Sequence, residues 1–381
     1  MTHTHHPAYP TPDSGRSAEP LFQPYALTDR LRLQSRLVMP AMSRGFSPGG
    51  VPGPDVAAYY RRRAENGVGL IITEGAVIDH PAAVSETVVP ALHGAEALHG
   101  WAEVTRQVHE AGGVIFPQLW HMGMARPAGS GPSPDAPSLG PSGLDLAGSP
   151  AGEPMTQPQI DDVVRSFARA AADARRAGFD GVEVQAAHGY LIDQFLWDRT
   201  NRREDRYGGS VARRAAFAVE IIAAIRAETG PDFPIAVRLS QWKQGDYAAR
   251  PWQTPEEFGE TLRLLADAGA DLFHCSTRRF HEPEFEGSPL NLAGWAKRLG
   301  GKPVITVGSV GLSNEFLNAY QGQGADSVGL DELLRRLGED EFDLVAVGRA
   351  LLADPLWPRK IREGRAAELA AFDPASLGTL Q

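Results

Sequence analysis

Residues Val182 to Ser210 read VEVQAAHGYLIDQFLWDRTNRREDRYGGS. The stretch opens on a short apolar run that fits a buried strand. It brings Gln185, His188 and Tyr190 past the end of that strand, spaced so that all three can converge on one small ligand. It closes on Ser210, which can cap a helix whose inward stripe is Phe217, Ile221 and Ile225. This order of strand, polar cluster and helix is one βα unit.

Outward from this unit the same order recurs along the chain. Short apolar runs flanked by Gly, Pro or polar residues predict strands at Arg36 to Met42, Gly69 to Glu74, Val114 to Trp120, Gly181 to Gln185, Ile235 to Ser240, Asp271 to Ser276, Pro303 to Gly308 and Leu344 to Gly348. Helix signals fill the gaps between them. Thr254-Pro-Glu-Glu257 offers a capping Thr, a Pro at the first helical position and a Glu that reaches back, ahead of Phe258, Leu262 and Leu265. Thr156 and Gln159 form a second capping pair before Ile160, Val163, Val164, Phe167 and Ala171. Eight apolar strands, each separated by a helical segment, describe a closed parallel α/β barrel of the TIM (β/α)8 type better than an open sheet.

Two segments depart from a minimal barrel. Leu27 to Leu37 (LTDRLRLQSRL) alternates enough to form an N-terminal β-hairpin that can plug the bottom of the barrel. Residues 122–155, rich in Pro, Gly and Ser, follow the third strand and are too long for an ordinary βα connection. They are expected at the C-terminal rim. Residues 1–20 read as a disordered tail, 21–365 as the barrel and 366–381 as a C-terminal tail.

Composition limits the partners. A net charge of -10 argues against nucleic acid, and the N-terminus has no apolar core of the signal-peptide kind. No apolar run approaches the roughly 18 to 20 residues that span a bilayer. One cysteine, Cys275, excludes an internal disulfide or a cysteine-ligated iron-sulfur cluster and fits a cytoplasmic compartment. Small molecules remain as the expected ligands, with no metal site, and homo-oligomerisation stays open.

In a barrel the chemistry lies just after the strand ends. Those positions carry Pro40 to Ser43, then Gly75, Gln118, Trp120 and the Gln185, His188, Tyr190 group, then Arg238, Gly308, Ser309, Gly348 and Arg349. Glycines at the last two strand ends (VGSVG and VGRA) suit a phosphate bound by backbone amides, with Arg349 adding a charge-assisted contact. Arg238, ending the strand IAVRLS, points either into the barrel mouth or into a structural ion pair. In the mouth it would stabilise an anionic ring lying over it.

The ordered set RLVMPAMSR, GLIITEG, PQLWHMG, VEVQAAHGYLIDQFL, NRREDRYGGS, VRLS, ITVGSVG and AVGRALLADP resembles the Old Yellow Enzyme family of FMN-dependent ene-reductases, over roughly Leu21 to Arg365. The pair HGYLxxQFL and NxRxDxYGGS is the most specific part. The resemblance implies FMN, reduced by NADPH or NADH, and an activated alkene as substrate: an α,β-unsaturated carbonyl or a nitroalkene. It places Pro40, Ala41, Met42 and Ser43 along the flavin ring, Gly75, Gln118 and Arg238 on its pyrimidine side, and Gly308, Ser309, Gly348 and Arg349 at the phosphate. Tyr190 becomes the proton donor to Cα after hydride from flavin N5 reaches Cβ. Trp120 matches a substrate-pocket aromatic, and Trp242 and Phe280 fall near the rim, where they are expected to shape the substrate pocket or to meet a nicotinamide phosphate.

Two positions depart from the family pattern. Relatives have His-x-x-His or His-x-x-Asn as the pair of donors to the substrate carbonyl, and this chain has Gln185 and His188. An amide N–H can donate, but its reach and rigidity differ from those of an imidazole. The alternative is a flavin-binding protein of the same fold with little alkene-reducing activity. Trp197 and Asp198 stand where many relatives have Ser-Pro. Lys243 and Arg279 read as solvated rim charges, and Cys275 as a small core residue.

Overall fold

Two short antiparallel strands, β1 (Tyr25–Ala26) and β2 (Arg32–Leu33), precede eight parallel strands that close on themselves in a computed structural model describing residues 16–381. The barrel strands are β3 (Leu37–Met39), β4 (Leu70–Val77), β5 (Val114–Trp120), β6 (Val182–His188), β7 (Ile235–Lys243), β8 (Leu272–Ser276), β9 (Val304–Val307) and β10 (Leu344–Ala346). Closure comes from β10, which pairs with β9 on one side and β3 on the other. All eight sit where the apolar runs predict them, and the fold is a TIM barrel. Most of the N-terminal tail expected over residues 1–20 lies outside the described residues. Glu19–Phe22 forms a 3-10 turn with Leu21 and Phe22 buried. No helix among the described residues is long and apolar enough to cross a membrane.

The caps read from sequence are made. Thr156 and Gln159 form a reciprocal capping box on Gln157–Arg176, Ser210 accepts from the Arg213 amide, and Thr254 accepts from the Glu257 amide. Each satisfies a helix-end N–H that otherwise lacks a partner.

Three strands outrun their predicted ends, and the extra length positions the site. The β4–β5 register shifts between Ile72 and Gly75, and the β6–β7 register shifts between Ala186 and His188, after which His188 pairs with Lys243. An irregularity of this kind bends a strand and re-aims its side chains. It also turns the last residues of β6 and β7 towards the barrel mouth.

The hairpin closes the opposite end. Leu27 and Leu33 join the cluster of Val38, Leu70, Val114, Leu272 and Leu344, which are residues at or near the starts of the strands. The apolar faces of a two-stranded ribbon are thus buried against the barrel interior instead of water. Residues 122–155 are an ordered loop gathered on the buried Arg126, which donates to the carbonyls of Val84 (3.1 Å), Ala136 (2.8 Å) and Ser133 (2.7 Å). The C-terminal stretch packs back onto the barrel. Phe372 bridges to Ala325, and Arg44 donates to the carbonyls of Ser376 and Thr379.

Leu33 is fully buried in the interior cluster. Leu33→Ala is therefore expected to lower unfolding stability by about 2–5 kcal/mol. Urea denaturation checks this, and an unchanged midpoint would mean that the hairpin does not seal the barrel.

Candidate active site

The C-terminal mouth of the barrel opens as one cleft, with about 1230 Å³ free of atoms when counted out to solvent. Pro40, Ala41, Met42 and Ser43 form one wall after β3, and Gly75, Gln118 and Trp120 continue it on β4 and β5. Gln185 and His188 on β6, Tyr190 beyond it, and Arg238 and Trp242 on β7 face them. Gly308, Ser309, Gly348 and Arg349 line the far end. Phe280 does not line the cleft. Its ring is buried in the surrounding core, its N–H donates to the Gly308 carbonyl at 3.0 Å, and its carbonyl accepts from Asn291. It anchors the loop after β8 where the sequence suggested a pocket wall.

Close approach demands glycine at Gly308 and crowds any larger residue at Gly75. A Cβ on Gly75 would stand 3.1 Å from the Trp120 ring, and one on Gly308 would stand 2.4 Å from the Thr277 hydroxyl. Both positions leave backbone exposed to a ligand.

Inside the barrel, just under the mouth, lies a fully buried Glu183. One carboxylate oxygen accepts from Gln118 Nε2 at 2.7 Å and the other lies 2.6 Å from His274 Nδ1. Burial pushes the Glu183 pKa up, but His274, Arg238 and the Gln118 hydrogen bond outweigh it and hold the carboxylate charged. Arg238 donates from Nη1 to the Ala41 carbonyl at 3.2 Å, and its buried Nε has no partner. A buried guanidinium N–H without an acceptor is costly unless a ligand supplies one. The sequence held a signal for Glu183 and His274, since a carboxylate and an imidazole inside the apolar runs VEVQ and LFHCS need partners in the core.

The turn after β6 carries the polar end of the cleft. His188 adopts φ 65°, a left-handed conformation that costs a non-glycine residue of order 1–3 kcal/mol. Three contacts hold it there. Its amide donates to Ser240 Oγ (3.0 Å), the Gly189 amide donates to Asp193 (2.6 Å), and Gln194 Nε2 donates to the Gly189 carbonyl (2.7 Å). Burial, then the charges of Arg238 and Lys243, press the His188 pKa well below its ordinary value, so the ring is neutral. Its Nδ1 lies 3.3 Å from Gln185 Nε2 and its Nε2 lies 2.8 Å from Ser276 Oγ, while Trp242 packs on its face at 4.5 Å. Tyr190 meets Trp120 edge to face at 5.1 Å, and its hydroxyl accepts from Gln244 at 3.0 Å.

Lys243 is not a rim charge. It is 0 % exposed and pairs at 2.9 Å with Asp193, also 0 % exposed. The shifted β6–β7 register pulls it inward beside the turn. Arg279 does sit part-exposed at the rim, against Glu282 and Glu315. Cys275 is buried, and burial pushes its thiol pKa up, which leaves it without nucleophilic character. At the far end, Arg349 donates to the Glu315 and Asn314 carbonyls and approaches Ser309 Oγ at 3.3 Å. Burial lowers its pKa to about 10, which leaves it charged at neutral pH.

A model of the NADH:flavin oxidoreductase / NADH oxidase family matches residues 20–368. The chain is 35% identical over 361 residues to an NADH oxidase of Thermoanaerobacter brockii, covering 92% of this chain and 52% of that protein, so it spans about half the length of that relative. It is 32% identical over 351 residues to a putative 12-oxophytodienoate reductase 2 of Oryza sativa subsp. japonica, covering 91% and 87% of the two chains. Its fold matches morphinone reductase in complex with tetrahydroNAD with a TM-score of 0.77 at 29% identity, over 94% and 93% of the two chains.

The Asp193–Lys243 pair generates a prediction. Lys243→Met strands a buried carboxylate beside the His188 turn and is expected to cost roughly 3–5 kcal/mol of stability. Adding Asp193→Asn removes the uncompensated charge and should recover part of that loss. Denaturation of the single and double variants checks it, and equal stability of Lys243→Met and the parent would contradict it.

Proposed function

Since the chain belongs to the NADH:flavin oxidoreductase / NADH oxidase family, in which Old Yellow Enzyme stands, we propose that it is an FMN-dependent ene-reductase using NADPH or NADH. Its substrates are activated alkenes, namely α,β-unsaturated carbonyl compounds and nitroalkenes. The observation that carries this reading is the unpartnered, buried Arg238 Nε at a cleft that also receives Gln185, His188 and Tyr190.

The cleft residues fit FMN. Pro40, Ala41, Met42 and Ser43 would lie along its ring, with Gly75, Gln118 and Arg238 at the pyrimidine edge, and Gly308, Ser309, Gly348 and Arg349 would hold its phosphate. A fixed guanidinium at that edge favours negative charge on a reduced ring. When bound, FMN supplies the hydride, taken from the nicotinamide, that reaches the alkene Cβ.

The chain's own residues do the rest. Gln185 and His188 form the polar end against which the carbonyl oxygen is placed, and a donor there stabilises the charge that builds on that oxygen. Losing one such donor typically costs about 10²- to 10³-fold in rate. Trp120 and Trp242 exclude water from the reacting carbons. Tyr190 delivers a proton from its hydroxyl to Cα, and Gln244, donating to that same oxygen, steadies it and favours release of the proton.

The test is optical. The purified protein should be yellow, bleach anaerobically with NADPH or NADH, and regain colour with cyclohexenone or maleimide. Tyr190→Phe should still bleach, while recolouring by cyclohexenone slows about 10²- to 10⁴-fold. Colour that returns only with oxygen would favour a flavin-binding protein with little alkene-reducing activity. A colourless protein that takes up no FMN would overturn the cofactor assignment.

A further inference from the structure

Four buried polar side chains stand on four adjacent strands beneath the cleft. Gln118 on β5 is the register partner of Glu183 on β6, and Arg238 on β7 is the register partner of His274 on β8. Gln118 and Arg238 line the cleft, whereas Glu183 and His274 are fully buried behind them. The steps derived above use the first two and leave Glu183 without a part in the chemistry.

A carboxylate sealed from water costs several kcal/mol unless its partners return it. Glu183 has Gln118 Nε2 at 2.7 Å, His274 Nδ1 at 2.6 Å and the opposite charge of Arg238 nearby. An ionised carboxylate only accepts, so His274 carries its proton on Nδ1. Its Nε2 is buried and has no partner among the described residues, so a second ring proton would strand a charged N–H in the core. Burial lowers the pKa of this ring in the same sense. His274 is therefore a neutral donor, and two full charges remain in the group, positive on Arg238 and negative on Glu183.

Those charges act in opposite directions on a ring held over the mouth. Arg238 favours a ring that has gained electrons and become anionic. Glu183 disfavours it. At 0 % exposure its charge is not screened by solvent, and in the low-dielectric interior it is felt beyond its own hydrogen-bond partners.

We propose that Glu183 is the counter-charge that sets the reduction potential of the bound flavin: its carboxylate offsets part of the Arg238 charge, raises the energy of the reduced ring and so makes that ring a stronger hydride donor to the alkene. Glu183 acts through Gln118 and Arg238 and is a positioning residue, since both of its oxygens are taken up inside the barrel. This deepens the FMN reading and rests on it.

Glu183→Gln isolates the charge. The new amide keeps both contacts, its oxygen accepting from Gln118 and its NH2 donating to His274 Nδ1 once the ring proton sits on Nε2. Redox titration of the FMN-loaded protein should show the potential rise, with reduction made on the order of tenfold easier, or about 30 mV for two electrons. His274→Asn keeps a neutral donor and the carboxylate, and should leave the potential at the parent value. Glu183→Gln combined with His274→Asn, in which two amides meet, removes the charge by a second route and should reproduce the rise. A potential unchanged or lowered in the proteins that lack the carboxylate overturns the proposal. An equal rise in His274→Asn alone also overturns it, because packing would then be the cause. Either result in a yellow protein leaves the cofactor reading intact, whereas a parent that takes up no FMN defeats that reading and this proposal with it.

Discussion

The ion pair between Asp193 and Lys243 is the contact on which the polar end of the cleft depends. Neither side chain is exposed, and each gives up several kcal/mol of hydration that only a close, well-bonded partner returns. Burial pushes the Asp193 pKa up and the Lys243 pKa down, while their mutual attraction opposes both. Asp193 also accepts the Gly189 amide, and Lys243 also donates to the Ser240 carbonyl at 3.0 Å. Ser240 Oγ in turn accepts the His188 amide. The pair thus holds both strands that flank the turn, and a left-handed histidine persists because its neighbours leave it no other conformation.

A second buried charge organises the floor. Glu183 faces Gln118, His274 and Arg238 from inside the barrel, so the carboxylate orients one cleft amide and lies beside one cleft guanidinium. With Gln118 Nε2 given to Glu183, its oxygen is left as the acceptor presented to the mouth. The two buried carboxylates divide the work. Asp193 fixes where the polar turn sits, and Glu183 fixes which way the polar groups of the floor point.

The barrel was legible because its signals are local. Eight apolar runs, the Thr156, Ser210 and Thr254 caps and the glycines of VGSVG and VGRA each declare themselves within a few residues. Most of the cleft was legible for the same reason, since strand ends locate it. What escaped was set by register and by distant partners. Lys243 reads as a surface lysine in QWKQGDY and becomes buried only because β7 runs on past a shift in its pairing with β6. Phe280 reads as a rim aromatic, but the Gly308 carbonyl and Asn291 draw its backbone into the core. Ser276 lay in a stretch already counted as a strand end, and nothing near it in sequence points to the imidazole of His188.

Gln185 and Trp197 flank the same turn. Lys243 lies 5.7 Å from the centre of the Trp197 ring, and the same lysine anchors the turn that carries His188. Gln185 contacts that histidine directly. An imidazole at position 185 would bring its own choice of protonated nitrogen to the carbonyl site, whereas an amide carries a donor and an acceptor fixed on one rigid group. Such a group needs a neighbour to select which end faces the ligand. His188 lies against that amide, and Trp242 and Ser276 contact the same ring. Gln185 and Trp197 are thus linked through the one turn that Asp193 and Lys243 hold.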